Sequence, residues 1–250
     1  MTGFGLIGFP LTHSFSPTYF TDKFLREGLS DYKYDLFLLQ KIDELKTLVE
    51  AKRNLKGLNV TIPYKVSVIR LLQQLDTTAE AVGAVNTIDI MRNGNKVILS
   101  GYNTDVIGFE QSLVPLLKPW HKRALVLGTG GASKAVCHVL CKLGIAALYV
   151  SRKPREPNQM SYEQLNKDVI VNHQLIIQTT PLGKYPDTES LPPVPYKHIT
   201  SDHLLYDLNY NPDTTRFMKL GAKHGASVKN GLEMLHLQAD ASWEIWKRNL

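Results

Sequence analysis

Lys65 and Asp105 are the two residues of this chain best suited to moving a proton. A lysine beside a carboxylate can pass a proton to or from a hydroxyl or carbonyl oxygen. To act as a base it needs a lowered pKa, and burial is one way to lower it. Lys65 comes just after Pro63, where a strand must end because proline cannot donate to a sheet ladder. Asp105 follows Asn103 and Thr104 at the predicted start of a helix. Spacing alone leaves a structural salt bridge open as the alternative to an acid–base pair.

Polar side chains precede the lysine on one face of the predicted strand. Val60 and Ile62 alternate with Asn59 and Thr61, which is the period of a strand with one apolar face. The two polar side chains therefore point the same way, about 7 Å apart at roughly 3.4 Å per residue. Strand ends often carry binding and catalytic groups, although an ordinary edge strand would show the same pattern. Asn86, at another predicted strand start, is a further candidate or simply a turn asparagine.

A glycine-rich loop indicates nucleotide binding. Residues 125–133 combine an apolar strand, a turn with glycines at 128, 130 and 131, and the start of an apolar helix. Glycines let the backbone approach a pyrophosphate, and the helix N-terminus offers free N–H groups and the positive end of a dipole. The strand before the loop and the helix after it supply the context that this motif requires, whereas a purely structural turn is the alternative.

The end of the next predicted strand favours NADP over NAD. An NAD site usually has an acidic residue about 20 residues past the glycines, to bind the ribose 2′-hydroxyl. Ser151 stands there instead, followed by the cations Arg152, Lys153 and Arg155. The planar donor fork of an arginine suits a 2′-phosphate, although a solvated basic turn would have the same composition.

These groups need a framework of alternating strands and helices, and the pattern predicts one. Strands are expected at 3–9, 33–39, 57–62, 85–91, 96–101, 124–127, 145–151, 174–179, 203–208 and 226–229. Helices are expected from Ser16 as N-cap to Gly28, at 41–53, around 66–72, and at 103–117, 131–143, 213–223 and 231–248. Asn93-Gly94 predicts a hairpin turn. The helix at 103–117 would bridge two lobes, and the last helix could pack back on the first lobe.

Composition narrows the class of protein. The 250 residues suit one large or two modest domains, and the net charge of +6, from 29 basic and 23 acidic residues, favours anionic ligands. Runs of like charge and aromatic-basic ladders are missing, so no nucleic-acid partner is expected. No apolar stretch approaches about 18 residues and no signal pattern is present, so we expect a cytoplasmic protein without a membrane partner.

Cys137 and Cys141 lie four residues apart in an apolar helical segment. A disulfide there would gain little, and no His or Cys set completes a metal site. We therefore expect buried free thiols and no metal.

Taken together, the motifs resemble the shikimate dehydrogenase family along nearly the whole chain. The motifs that carry the resemblance occupy residues 14–17, 59–65, 83–87, 101–109, 128–133, 179–183, 206–212 and 230–235, with Gln238 and Ala239. The fold implied is α/β and two-lobed, with an N-terminal α/β substrate lobe and a Rossmann-type NADP-binding lobe. The expected boundaries are 1–103, with the C-terminal helix at about 231–250, for the substrate-binding and catalytic domain and 104–230 for the NADP-binding domain.

The resemblance implies NADPH-dependent reduction of 3-dehydroshikimate to shikimate, in chorismate and aromatic amino acid biosynthesis. By resemblance, Ser14 and Ser16 hold the substrate carboxylate, and Thr61, Asn86 and Gln238 hold ring hydroxyls. Asn59 and Tyr210 are also assigned to the substrate. Lys65 supplies the proton and Asp105 positions Lys65 and a substrate hydroxyl. The resemblance leaves a homodimer open.

The same resemblance assigns the cofactor residues. By resemblance, the glycine loop binds the pyrophosphate; it comprises Gly128, Thr129, Gly130, Gly131, Ala132 and Ser133. Ser151, Arg152 and Lys153 replace an Asn-Arg-Thr run and keep the arginine that meets the 2′-phosphate, while Thr180, Leu208 and Gly231 line the nicotinamide side. The chain departs from the family pattern at Gln178, Lys184 and Asn209, all on the cofactor lobe.

Three other functions remain as alternatives. The first is a quinate/shikimate dehydrogenase of the same fold that uses NAD or NADP. The second is a non-catalytic ligand-binding relative, which would be expected to lose Lys65 or Asp105, and neither is lost. The third is a bare nucleotide-binding scaffold, which leaves the polar motifs of the first lobe unexplained.

Overall fold

The computed structural model describes residues 1–11, 14–94 and 96–250. The chain divides into two compact units: unit 1 comprises Met1–Thr104 and Ala239–Leu250, and unit 2 comprises Asp105–Gln238. Each unit is built on its own six-stranded sheet. The predicted α/β class is confirmed.

Unit 1 has a mixed sheet. Its elements in chain order are β1 (Thr2–Gly8), α1 (Ser16–Arg26), β2 (Tyr32–Leu38), α2 (Glu44–Ala51), β3 (Leu55–Val60), β4 (Gln74–Leu75), α3 (Thr77–Val82), β5 (Thr87–Asn93) and β6 (Lys96–Tyr102). The strand order is β2-β1-β3-β5-β6-β4. β1 pairs in parallel with β2 and β3, whereas β5 runs antiparallel to β3 and β6. The predicted hairpin is confirmed, with Asn93 paired to Lys96 and Gly94 at a φ of +59°.

An aromatic core covers one face of this sheet and holds the C-terminal segment on unit 1. Trp246 stacks on Phe4 with 4.9 Å between ring centroids, and its indole N–H donates to the carbonyl of Ile88 at 3.0 Å. A Cβ on Gly57 would collide with the Trp246 indole, so glycine is required in β3 where the ring crosses the strand. Burial of aromatic surface of this size is a major part of the stability of the unit.

Unit 2 has an all-parallel sheet. Its elements are α4 (Asp105–Leu113), β7 (Arg123–Leu127), α5 (Gly131–Lys142), β8 (Ala146–Val150), β9 (Gln159–Met160), α6 (Lys167–Val171), β10 (Leu175–Gln178), β11 (Leu204–Asp207), α7 (Arg216–Lys223), β12 (Ser227–Lys229) and α8 (Leu232–Lys247). The division between the units falls inside α8, before Ala239.

The strand order of unit 2 is β12-β11-β10-β7-β8-β9, with every pair parallel. Read from β9 and numbered within the unit, this is the order 3-2-1-4-5-6 of the doubly wound Rossmann fold. The order in which successive strands are added reverses between β7 and β10, and ligands of such sheets bind at the carboxyl ends of the strands beside that point. The carboxyl ends of β7 and β10 carry the glycine loop and Thr179.

Several local predictions need correction. The predicted helix at 103–117 is α4 followed by a 3-10 turn at Val114–Leu116, because Pro115 cannot continue an α-helix. The helix expected around 66–72 is a 3-10 turn at Ser67–Leu71. Both cysteines are free, as expected, but Cys141 is exposed and Cys137 is half-buried. They lie on the flank of α5, whose buried face consists of Ala135, Val136, Val139 and Leu140.

Candidate functional site

Asn59 is the centre of a buried polar network in unit 1. Its Oδ1 accepts a hydrogen bond from the Tyr34 hydroxyl at 2.7 Å. Its Nδ2 donates to Ser242 Oγ at 2.9 Å, to Thr87 Oγ1 at 3.2 Å and to the carbonyl of Asn86 at 3.3 Å. A side-chain amide that is bonded on both sides inside a core holds its neighbours in one arrangement. Asn59 therefore fixes the end of β3 against the start of β5.

Asn86 ties the start of β5 to the segment that leads to Asp105. Its Oδ1 accepts from the backbone N–H of Thr104 at 2.7 Å and from the Thr104 and Thr87 hydroxyls, each at 3.1 Å. The adjacent Asn103 donates from Nδ2 to the carbonyl of Ala84 at 2.8 Å. The Asn86 side chain is 2% exposed, so it has lost its hydrogen bonds to water. The bonds to Thr104 and Thr87 replace them, which avoids the free-energy cost of a buried amide without partners.

Ser16 is not the cap of α1 that the sequence predicted. The capping position is Phe15, which makes no side-chain cap hydrogen bond, and Ser16 is the first helical residue. The Ser16 side chain hydrogen-bonds the Tyr34 hydroxyl instead. Burial raises the pKa of Tyr34, and the bond from Ser16 offsets part of that rise. Ser16 is thus connected through Tyr34 to Asn59, while Ser14 lies half-buried just before the helix.

Thr61 and Lys65 lie on a tight turn after β3. The carbonyl of Thr61 accepts from the backbone N–H of Tyr64 at 2.9 Å, and the carbonyl of Lys65 accepts from the N–H of Val85 at 2.7 Å. A Cβ on Gly8 would lie 2.5 Å from Thr61 Cγ2, so the last residue of β1 leaves room for this turn. The backbone that carries both side chains is therefore fixed on two sides.

Two other predicted site residues belong to unit 2. Asp105 is the first residue of α4 and 5% exposed, at the helix end where the dipole favours a negative charge. Gln238 lies in α8 and donates from Nε2 to the carbonyl of Leu235 at 2.9 Å. A Cβ on Gly108 would lie 2.5 Å from the Met234 carbonyl, so glycine lets α4 and α8 approach closely.

The glycine loop of unit 2 forms a cradle for a pyrophosphate. Gly128 has a φ of +112°, and a Cβ there would lie 2.7 Å from Thr179 Oγ1. Thr179 Oγ1 donates to the Leu127 carbonyl at 2.6 Å and lies 3.0 Å from Ser133 Oγ, which pins the loop to β10. Gly130, which precedes the first turn of α5, has open space where its side chain would be. A phosphate can therefore approach the backbone N–H groups of this turn, which fits a dinucleotide.

A pocket of about 590 Å³ lies beside this cradle. Its lining residues are Thr129, Ser151, Arg152, Lys153, Arg155, Glu156 and Gln159. Three of them are cations and one is a carboxylate, so the pocket is net positive. Ser151 Oγ accepts from the backbone N–H of Lys153 at 3.2 Å, which shapes the turn after β8. The pocket thus presents an arginine fork and a lysine to an anion at the carboxyl end of β8.

Two of the residues that depart from the family pattern hold the loops after β10 and β11: Gln178 within the first loop, and Asn209 between the two loops. Gln178 Oε1 accepts from the backbone N–H of Thr180 at 3.2 Å and from its hydroxyl at 3.0 Å. Asn209 Nδ2 donates to the carbonyls of Thr180 and Leu182 at 3.0 and 3.2 Å. A Cβ on Gly231 would collide with the Leu208 carbonyl, so the start of α8 is packed directly on this loop.

Asp207 is a fully buried carboxyl at the base of these loops. It accepts from the Thr215 hydroxyl at 2.7 Å and from the backbone N–H of Asn209 at 2.9 Å. Burial raises the pKa of Asp207 to about 6, and these hydrogen bonds lower it only in part. Asp207 therefore holds the loop that carries Leu208 and Tyr210.

Comparison with known proteins identifies the family. The profile described as shikimate dehydrogenase substrate binding domain matches residues 6–88. An NADP(+)-dependent shikimate dehydrogenase of Methanococcus maripaludis is 37% identical over 258 residues, covering 97% of this chain and 90% of the relative. The chain belongs to the shikimate dehydrogenase family. The resemblance drawn from the motifs is confirmed.

Solved members of the shikimate dehydrogenase family share the fold. The shikimate 5-dehydrogenase of Thermus thermophilus, in complex with NADP(H) and shikimate, has a TM-score of 0.86 at 28% identity, covering 100% of this chain and 95% of that one. The quinate dehydrogenase of Corynebacterium glutamicum, in complex with NAD, has a TM-score of 0.85 at 25% identity, covering 99% and 94%. The fold is therefore common to members that differ in substrate and cofactor.

Sequence reasoning missed most partners of the predicted site residues in this member of the shikimate dehydrogenase family. Tyr34, Thr87 and Ser242 of the Asn59 network carry no local motif, and Ser242 is far from Asn59 in sequence. Glu156 and Gln159 of the pocket follow a turn that the sequence left unassigned. In the described part of the chain, no three His, Cys, Asp or Glu side chains are grouped to hold a metal. The same part contains no helix long and apolar enough to cross a membrane.

Proposed function

We propose that this protein catalyses the NADPH-dependent reduction of 3-dehydroshikimate to shikimate. The observation that carries the proposal is family membership over 97% of the chain together with an intact Asn59–Lys65 segment. The turn in that segment is fixed by hydrogen bonds to Ile7 of β1 and to Val85, just before β5. The reaction belongs to chorismate and aromatic amino acid biosynthesis. A cytoplasmic location and a homodimer are parts of the same proposal.

Residues 1–103, with the C-terminal helix at about 231–250, form the substrate-binding and catalytic domain in this proposal, and residues 104–230 form the NADP-binding domain. The mixed sheet and its polar network support the first assignment. The parallel sheet in Rossmann order, with a glycine cradle at its reversal point, supports the second.

The substrate is a small, hydroxyl-rich carboxylate, and the proposed ligands match it in chemistry. Ser14 and Ser16 donate hydroxyls to the carboxylate. Thr61, Asn86 and Gln238 bind ring hydroxyls, whereas Asn59 acts by holding Asn86 in place. Buried polar groups reject an analogue that lacks a hydroxyl, because they would be left unpaired. Tyr210 contributes from the loop after β11.

NADPH, when bound, supplies the hydride, so the protein must orient the ketone and supply one proton. Lys65 donates that proton to the carbonyl oxygen as the alcohol forms and recovers it from solvent. Asp105 positions Lys65 and a substrate hydroxyl. The fixed backbone at Lys65 supports this assignment, since a proton donor must lie within hydrogen-bond reach of the reacting oxygen.

The cofactor assignment follows the geometry of unit 2. The backbone from Gly128 to Ser133 holds the pyrophosphate, and Arg152 and Lys153 bind the 2′-phosphate in the positive pocket. Thr180, Leu208 and Gly231 line the nicotinamide side. Arg155 is a further cation of that pocket.

A quinate/shikimate dehydrogenase that uses NAD is the second candidate. The observation that favours it is the quinate dehydrogenase with NAD among the structural neighbours. Three pocket cations and the missing acid at Ser151 favour NADP.

Substitution of Lys65 tests the mechanism. Lys65→Met should lower kcat for 3-dehydroshikimate reduction roughly 10²- to 10⁴-fold, the usual contribution of a general acid, with KM changed less than about threefold. The control is Lys41→Met, which removes an exposed lysine from the same unit. Near-normal turnover in Lys65→Met, alongside normal turnover in the control, would remove Lys65 from the mechanism.

A further inference from the structure

Lys184 lies in a rigid loop at the carboxyl edge of the unit 2 sheet. Its backbone N–H donates to the Pro181 carbonyl at 3.1 Å, and the next residue, Tyr185, donates to the Asn211 carbonyl at 3.0 Å. The preceding Gly183 donates to Ser190 Oγ at 2.9 Å. The loop is therefore fixed on both sides of the lysine.

The Lys184 ammonium is a half-buried cation with an unusual partner. It lies 5.9 Å from the centroid of the Tyr210 ring, within the range of a cation–π contact. Within the described residues it forms no ion pair with a carboxylate. Burial lowers its pKa, and no neighbouring charge opposes that shift. Because no carboxylate neutralises this ammonium, its positive charge acts on any other charge that binds nearby.

The Rossmann order locates this charge relative to a bound dinucleotide. The two halves of such a sheet each bind one mononucleotide. The positive pocket with Arg152 lies at the carboxyl end of β8, so the adenosine half belongs to β7, β8 and β9. The nicotinamide half then belongs to β10, β11 and β12. Lys184 and Tyr210 follow β10 and β11, on that second half.

A fixed cation on the nicotinamide half acts differently on the two redox forms. The oxidised nicotinamide ring carries one positive charge and the reduced ring carries none, while the phosphates are the same in both. We propose that the Lys184 ammonium selects the reduced cofactor by repelling the oxidised ring, which suits an enzyme that works as a reductase. This inference rests on the proposed NADP-dependent function. For charges on the order of 10 Å apart and partly screened, Coulomb's law gives roughly a three- to tenfold difference in affinity.

The test is the ratio of the dissociation constants for NADP⁺ and NADPH, measured by calorimetric titration on the full chain. The ratio cancels any attraction of Lys184 to the phosphates, since both forms carry them. Lys184→Met and Lys184→Gln should each lower the ratio roughly three- to tenfold, mainly by tightening NADP⁺, and Lys184→Arg should preserve it. The control Lys223→Met removes an exposed lysine at the far end of α7 and should leave the ratio unchanged.

Salt gives a second readout of the same charge. Raising the ionic strength from about 0.05 to 0.5 M should lower the wild-type ratio and leave that of Lys184→Met nearly constant, because screening acts on the charge pair. Binding of both cofactors with the same ratio in wild type and the neutral variants would overturn the inference and leave the proposed function standing. Failure of the wild type to bind either cofactor would instead refute the proposed function.

Discussion

Replacing Asp207 with asparagine should remove a pH dependence from the stability of this protein. Asp207 is fully buried, and its hydrogen bonds to Thr215 and Asn209 do not offset the loss of water. Asparagine has nearly the same shape. Its Oδ1 can still accept from the Asn209 N–H, and its amide can donate to the Thr215 hydroxyl. The substitution therefore removes the titration while it keeps the packing.

The magnitude follows from the pKa. Burial raises the pKa of Asp207 from 3.8 to about 6. The native state therefore binds more protons than the unfolded state between these two values, so the stabilisation is complete below pH 3.8 and is lost as the pH rises through about 6. A rise of about two units corresponds to about 3 kcal/mol, of which about 2 kcal/mol falls between pH 4.5 and 7.5. The asparagine side chain cannot titrate, so Asp207→Asn should gain that amount relative to wild type over this range.

Urea unfolding followed by circular dichroism, at steps from pH 4.5 to 7.5, measures the effect. The quantity to compare is the difference in the free energy of unfolding between variant and wild type, because other titrating groups cancel in it. Asp202→Asn, at an exposed position in the same unit, is the control. A difference that stays constant with pH, within about 0.5 kcal/mol, would refute the assignment of a raised pKa to Asp207.

Three further substitutions test the binding assignments and the polar network. Arg152→Ala should raise the steady-state KM for NADP⁺ roughly tenfold or more and change KM for NAD⁺ less than threefold, because only NADP⁺ carries the 2′-phosphate. An equal rise in both KM values would contradict the assignment of Arg152 to the 2′-phosphate. Ser14→Ala should raise KM for shikimate roughly three- to tenfold with little change in kcat, and an unchanged KM would count against carboxylate binding there. Ser242→Ala removes a fully buried hydroxyl that hydrogen-bonds Asn59. It should lower the free energy of unfolding, measured by urea titration, by about 2 kcal/mol. A loss below about 0.5 kcal/mol would show that the network tolerates the absence of this hydroxyl.

The parts of the fold that were predictable are those set by local sequence. Short apolar runs and alternating apolar residues predicted most strands to within a few residues. Asn93-Gly94 predicted the hairpin because tight hairpin turns require a positive φ, which few residue types accept and which Gly94 adopts. The glycine loop was recognisable since a strand, a turn and a helix follow one another directly. The short helices α3 and α6 escaped notice because five or six residues are too few to show a helical period.

The parts that were not predictable depend on contacts between distant segments. Asn59 meets Tyr34 and Ser242 across 25 and 183 residues of sequence, and no local pattern marks such pairs. Ser16 has the type and position of a helix cap, but Tyr34 competes for its hydroxyl. Cys141 is exposed because the buried face of α5 includes the neighbouring Leu140, and the next residue points away from that face. Tertiary context decides these positions, since each side chain has more than one local option.

The most direct test of the proposed function is a set of four initial rates with the purified protein: shikimate and quinate, each with NADP⁺ and with NAD⁺. We expect shikimate with NADP⁺ to give the highest kcat/KM, at least tenfold above either substrate with NAD⁺, because the β8 pocket presents Arg152 and Lys153 to a 2′-phosphate. Equal or greater kcat/KM with quinate and NAD⁺ would contradict the proposal, as would the absence of turnover in all four reactions.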